Sequence, residues 1–154
     1  MIVVSDTSPL TALLKIDRAE LLRLLFGQVI IPPAVQAELL REHPVLPAWL
    51  EVISPSHIPP AITAAHLDRG ETQALALALE LHADAVLMDE RLGRRVAHAL
   101  GMNPTGVLGC LVLAKRSGHL PAVAPVIADL QLRAGCWFDA VLITAVLQAA
   151  GETG

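Results

Sequence analysis

Two short apolar runs in this chain each stop on an aspartate: Ile2-Val3-Val4-Ser5-Asp6 near the start and Ala85-Val86-Leu87-Met88-Asp89 past the middle. Runs of Val, Ile and Leu bounded by polar or turn residues are the pattern of strands buried on both faces of a parallel sheet. In open α/β sheets ligands gather just beyond the carboxyl ends of the strands, so an aspartate closing such a run stands where chemistry is done. If the two strands are neighbours, about 4.7–4.9 Å apart, their carboxylates converge within bridging range of one hard cation.

The 154 residues suit a single domain, 1–154, able to bury roughly 70% of its unfolded surface. No metal or disulfide is needed to hold such a chain folded. Apolar residues make up 54% and charged ones 17%, which excludes disorder and implies an extensive core or an additional buried interface. With no Tyr, two Phe and two Trp, the composition argues against a base-stacking platform for single strands. A net charge of −4 argues against a DNA binder that works by phosphate neutralisation alone. Divalent cations bound among clustered carboxylates would change that balance locally.

Cys110 and Cys136 lack CxxC or Cys/His spacing, and the first residues show no basic region or cleavage site. A reducing cytoplasm is the expected location. No stretch approaches about 18 uninterrupted apolar residues, so no membrane span is expected.

Helical signals fill the space between the apolar runs. Ser8-Pro9 reads as an N-cap and first helical position, with Leu10, Leu13 and Leu14 as the apolar face. Asp17-Arg18-Ala19-Glu20 has the form of a capping box for a second helix that Gly27 closes. Val29-Ile30-Ile31 is a second strand, Pro32-Pro33 starts a helix from Ala34 to Arg41, and Glu51 to Ser54 is an edge strand. After the link Pro55 to Pro60 come a helix up to His66, a strong helix from Glu71 to Leu81 opened by Gly70, and one from Arg91 to Leu100 stopped by Gly101. Residues 103–106 allow a brief last strand. Helices over 107–117, 121–134 and 140–150 complete the chain, the last behind Asp139. Strands alternating with helices indicate an α/β fold with a mostly parallel sheet of four to five strands and right-handed crossovers.

Each carboxylate has a bland and a chemical reading. Asp6 precedes a helix start and would favour its positive end, but with Ser8 as the cap its side chain is free. Asp89 reads equally as a cap for the helix from Arg91. Glu38 only borders a buried face, and helix geometry alone favours a solvated carboxylate. Glu71 rises from the stripe of Ala74, Leu75 and Ala78, in the first helical turn, where burying a carboxylate is least costly. Four such groups in one pocket would raise one another's pKa unless a cation neutralised them. All-oxygen ligands without His or Cys select Mg²⁺ or Mn²⁺ over zinc. Phosphodiester hydrolysis by a metal-activated water is the chemistry that suits them.

At these residues the chain resembles the PIN domain, the fold of many metal-dependent ribonucleases and of VapC-type toxins. The likeness rests on Val3-Val4-Ser5-Asp6-Thr7-Ser8, on Glu38 within Ile30 to Leu39, on the acidic helix start at Glu71 and on the strand-end Asp89. More closely it resembles a PIN-like family of uncharacterised prokaryotic proteins, through Ser5 to Leu10, Gly70-Glu71-Thr72-Gln73-Ala74, Leu87 to Arg94, Thr105 to Gly109 and Ala150-Gly151-Glu152. The resemblance implies a three-layer sandwich and a nuclease centre of Asp6, Glu38, Glu71 and Asp89, with Ser8 as a supporting hydroxyl near Mg²⁺ or Mn²⁺. It implies an RNA substrate, a homodimer, and a small antitoxin-like partner. Glu71 departs from the aspartate usual at the third acidic position.

Two further readings stand beside the ribonuclease. One is a PIN-like module without turnover that binds RNA or a protein. The other is a phosphoryl-accepting Asp6 in a receiver-like fold, which lacks a suitably placed lysine because Lys15 and Lys115 both fall in helices. Arg91, Arg94 and Arg95 offer either a phosphate contact or a solvated helix face. The six histidines have no mutual metal spacing and read as surface residues. The last helix is apolar nearly all round, which calls for burial within the domain or against a partner.

Overall fold

The carboxyl ends that carry Asp6 and Asp89 lie side by side. In this computed structural model, which describes residues 1–152, β1 (Val3–Ser5) pairs in parallel with β4 (Ala85–Leu87), Ser5 opposite Leu87. The ladder runs on past both strands: the Asp6 amide donates to the Leu87 carbonyl at 2.9 Å and the Met88 amide to the Thr105 carbonyl at 3.0 Å. With β2 (Val29–Ile31), β3 (Leu50–Val52) and β5 (Pro104–Thr105) the sheet is entirely parallel, in the order β3-β2-β1-β4-β5. The chain builds outward from β1 to β3 on one side, then crosses to β4 and β5 on the other. The switch in strand order between β1 and β4 is where such sheets open a crevice at their carboxyl edge.

Strand alternation sends side chains to two separate cores. Val3, Val29, Ile31 and Leu87 pack against α1 (Thr7–Lys15), α2 (Glu20–Phe26) and α7 (Val107–Arg116), through Leu10, Leu13, Leu22 and Leu111. Val4, Val86 and Met88 face α4 (Pro60–Thr63), α5 (Arg69–Glu80) and α6 (Arg91–Ala99), through Ile62, Leu75, Leu77 and Ala97. The result is the expected three-layer α/β sandwich. Between the layers, α3 (Pro33–Leu40) touches both α1 and α5, and α8 (Ala124–Leu132) and α9 (Ala140–Ala149) follow α7. Among the described residues, no helix is long and apolar enough to cross a membrane.

Several helix starts differ from the sequence expectation. Helix α1 begins at Thr7, and its N-cap is the extended Asp6 rather than Ser8. Pro9 is accommodated because first-turn amides have no intrahelical partner. Asp17 does not cap α2; it stands at φ 58, where the amides of Asp17 and Arg18 bond back to Leu14 and Leu13 and close α1. Helix α4 ends at Thr63, short of His66, and α5 is capped by Asp68, whose carboxylate accepts the Glu71 amide at 2.8 Å. Asp139 does cap α9, accepting from the Val141 amide.

Helix α8 starts at Ala124, later than Pro121, and an anion is held at its first turn. The Glu152 carboxylate accepts from the amides of Val123 at 2.7 Å and Ala124 at 3.1 Å, and from Lys115 Nζ at 2.9 Å. These donors hold its carboxyl well below the usual range, at about 2. A group depressed in this way contributes stability that is present above the ordinary glutamate pKa and lost as pH falls toward 2.

Helix α9 is not buried within the domain. Ile143, Val146 and Leu147 rest on the core, while Val141 is 78% exposed and, with Leu142, Leu132 and the 83%-exposed Trp137, leaves an apolar surface.

Candidate active site

Asp6 ends the central strand, and the turn of one residue into α1 places its carboxylate at the mouth of the crevice. Its side chain makes no capping hydrogen bond and is only 4% exposed. Burial pushes the carboxyl up to about 7, against the adjacent Thr7 amide, which favours the ionised form; Asp68, Glu38 and Asp89 push it further upward.

Glu38 comes to the same place from α3. Gln73 fixes that helix by accepting the Ala34 amide at 3.0 Å, so the start of α3 is tied to the second turn of α5. The solvated placement favoured by helix geometry alone does not hold, because Glu38 is half-buried against α5. A Cβ at Gly70 would stand 2.7 Å from Glu38 Oε1 and 3.3 Å from Asp6 Oδ1. The two carboxylates therefore meet over the one residue that has no side chain.

Glu71, next along α5, is 7% exposed. Its carboxyl is raised to about 8, first by burial, then by a side-chain hydrogen bond with Asp68 and by the negative charges of Asp68, Asp6 and Glu90. A side chain at Gly93 of α6 would collide with Met88 Sδ and stand 2.8 Å from Glu71 Oε2. A longer acid than aspartate fits here because α6 presents a glycine to it.

Asp89 is turned differently. Ser5 opposite Leu87 puts Asp6 level with Met88, and Met88 packs into the α5–α6 core. One residue on, Asp89 swings to the α7 side, where its Oδ1 accepts the Val107 amide at 2.8 Å. It thus caps α7, not the helix from Arg91, whose N-cap is Glu90. Burial raises its carboxyl, the Val107 amide and Arg94 lower it, and Glu90 raises it. Gly106 leaves room for this arrangement, since a Cβ there would be 2.7 Å from Asp89 Oδ1. Arg94 donates to the Met88 carbonyl at 3.1 Å and so braces the strand end, while Arg91 and Arg95 face solvent.

The fold thus brings Asp6, Glu38 and Glu71 around Gly70, with Asp89 beside them but fastened to α7. Ser8 is exposed on α1 and lines a hollow with Glu38. Among the described residues, no group of three or more His, Cys, Asp or Glu side chains is gathered closely enough to hold a metal ion. In kind, the donors fit a hard dication: all are oxygen, Asp6 and Glu71 are buried, Glu38 is half-buried, Asp89 is open to solvent, and none of the four is in an ion pair with the described residues.

Asp68 was not anticipated as a member of this group. Its signal lies in Asp68-Arg69-Gly70-Glu71, the D-x-x-E spacing of a capping box, although here the glutamate carboxyl meets the Asp68 side chain and not its backbone amide. Gly93 and Gly106 fall within the stretches that carry the resemblance, but their role was not legible, since the carboxylates that need their space come from other elements.

Comparison with curated proteins finds no match. The profile of the DUF3368 family, described as a PIN domain, matches residues 2–152, which include every carboxylate described above. The chain belongs to the PIN-domain family.

Proposed function

We propose that the chain is a Mg²⁺- or Mn²⁺-dependent endoribonuclease, the toxin of a toxin–antitoxin pair, with Asp6, Glu38, Glu71 and Asp89 as the residues that hold the ion. The observation that supports this most directly is the approach of the buried Asp6 and the half-buried Glu38 to Gly70, beside the buried Glu71, with no basic partner among the described residues. Uncompensated buried acids are costly, and such an arrangement persists where it has a use. A bound dication would polarise the phosphodiester and activate a water for in-line attack. The protein's own part is to hold the carboxylates at one edge and to surrender protons. Asp6, raised to about 7, and Glu71, raised to about 8, would have to give up their protons to hold a dication. The direct test is cleavage of a mixed RNA by purified protein with Mn²⁺ and its loss with EDTA.

A binding module without turnover is favoured by one observation, that the described carboxylates are not drawn into a coordinating group. Gly70→Ala separates the two readings. The added methyl displaces Glu38 and Asp6 while raising helix propensity by about 1 kcal/mol. For a nuclease, calorimetry should show Mn²⁺ affinity falling about 10–100-fold, the scale for groups that orient metal ligands, without a lower melting temperature. Unchanged affinity would separate these carboxylates from metal binding.

The apolar surface of Leu132, Trp137, Val141 and Leu142 supports a homodimer. Light scattering should give twice the chain mass at micromolar concentration, and a monomer mass at all concentrations would exclude it.

A further inference from the structure

On the far side of Glu38 from α5, helix α1 carries a row of polar groups. Thr7, Thr11 and Lys15 follow at four-residue intervals, so they stand one above another along about 12 Å of helix. With Ser8 and Glu38 they line an open hollow of about 220 Å³, whose opposite wall is Ala134 and Cys136 from the segment after α8. Its inner end shares Glu38 with the carboxylate site, and its outer end is an ammonium. Thr7 Oγ1 is buried without a hydrogen-bond partner. Lys15 is only loosely held, 3.9 Å from the exposed Glu42, whereas the other lysine, Lys115, is engaged by Glu152 at 2.9 Å.

We propose that this hollow is the track for the sugar–phosphate backbone of single-stranded RNA entering the site, with Lys15 on a phosphate flanking the one that is cut and the hydroxyls of Thr7, Ser8 and Thr11 on phosphate or ribose oxygens. The proposal rests on the ribonuclease reading and adds the path of its substrate. Three hydroxyls in line with a cation suit a repeating anionic, hydroxyl-bearing chain. Aromatic residues are only 3% of the sequence and none lines the hollow, so the grip is on the backbone and not on stacked bases. Glu38 at the inner end opposes a phosphate unless a dication lies beside it, which directs the strand toward the loaded site.

Cys136 provides a readout that needs no cleavage. It lines the hollow and is partly exposed, whereas Cys110 is buried. Burial raises the Cys136 thiol, with Asp89 raising and Lys15 lowering it, so alkylation is run at alkaline pH. Wild-type protein in Ca²⁺, a hard cation for the same oxygen ligands, is treated with N-ethylmaleimide with and without a 12-nucleotide single-stranded RNA. Bound RNA should slow Cys136 modification at least about threefold. Lys15→Met, checked for an unchanged melting temperature, should abolish protection, weaken RNA binding about 5–10-fold, and reduce the log–log salt slope by about 0.7. The proposal is overturned if saturating RNA leaves alkylation unchanged, or if Lys15→Met binds with the same affinity and salt slope. Wild-type cleavage without Cys136 protection rejects the track and leaves the nuclease reading standing. Protection that depends on Lys15, without wild-type cleavage, supports the track and rejects the nuclease reading. Absence of RNA binding overturns both.

Discussion

Asp6→Asn should lower metal-dependent RNA cleavage by at least about 10²–10³-fold, the scale on which removing one charge-stabilising group acts in other enzymes. The substitution is isosteric, removes a negative charge, and leaves the hydrogen bond from the Asp6 amide to Leu87 intact. Asp89→Asn should cost a comparable factor while keeping the fold, because an amide oxygen can still accept from Val107. Single-turnover rates at saturating Mn²⁺, beside circular dichroism, separate loss of chemistry from loss of structure. The ribonuclease reading fails if the Asp6→Asn, Asp89→Asn double variant cleaves at the wild-type rate.

The same substitution should stabilise the metal-free protein. Asp6 has its pKa raised from 3.8 to about 7 and Glu71 from 4.5 to about 8, so the folded chain holds protons that the unfolded chain has released. Their contribution to stability is complete below pH 4 and is lost as pH rises through 7 and 8. At pH 8 in EDTA, Asp6→Asn should therefore melt above wild type, by roughly 3–8 °C for about 1–3 kcal/mol. Mn²⁺ should reverse the order, since it binds the folded wild type and compensates its charge. Differential scanning fluorimetry at pH 5, 7 and 8 reads both effects. A melting temperature for Asp6→Asn equal to wild type at every pH, with and without Mn²⁺, would mean that Asp6 carries no electrostatic cost.

Glu71 is the residue at which this chain departs from the aspartate usual in PIN nucleases. It stands in the first turn of α5, and its carboxylate reaches across to α6, where Gly93 leaves the space that its longer arm occupies. Two glycines thus work together: Gly70 makes room for Asp6 and Glu38, and Gly93 makes room for Glu71.

Much of the fold is legible in local pattern. The runs ending at Asp6 and Asp89 are adjacent parallel strands, Gly27 and Gly101 stop their helices, and Asp139 caps the last one. These features depend on residues a few positions apart, whose periodicity and turn chemistry act before any tertiary contact forms. Where two caps compete nearby, local pattern is weaker: Ser8 gave way to Asp6, and Asp17 closes α1 instead of opening α2.

What the sequence by itself determined is which residues end the central strands, which face of each long helix is apolar, and the order of the acids along the chain. Only the tertiary structure decided where the acids point. Glu38 lies on a marginal helix face and becomes half-buried because Gln73 ties α3 to α5. Asp89 caps α7, 18 residues away, because strand alternation turns it from the Asp6 side. The apolar last helix keeps an exposed face because the core is filled by Ile143, Val146 and Leu147 alone. A short side chain's direction is set by which distant backbone donors and glycines come to meet it, and no local window of sequence contains them.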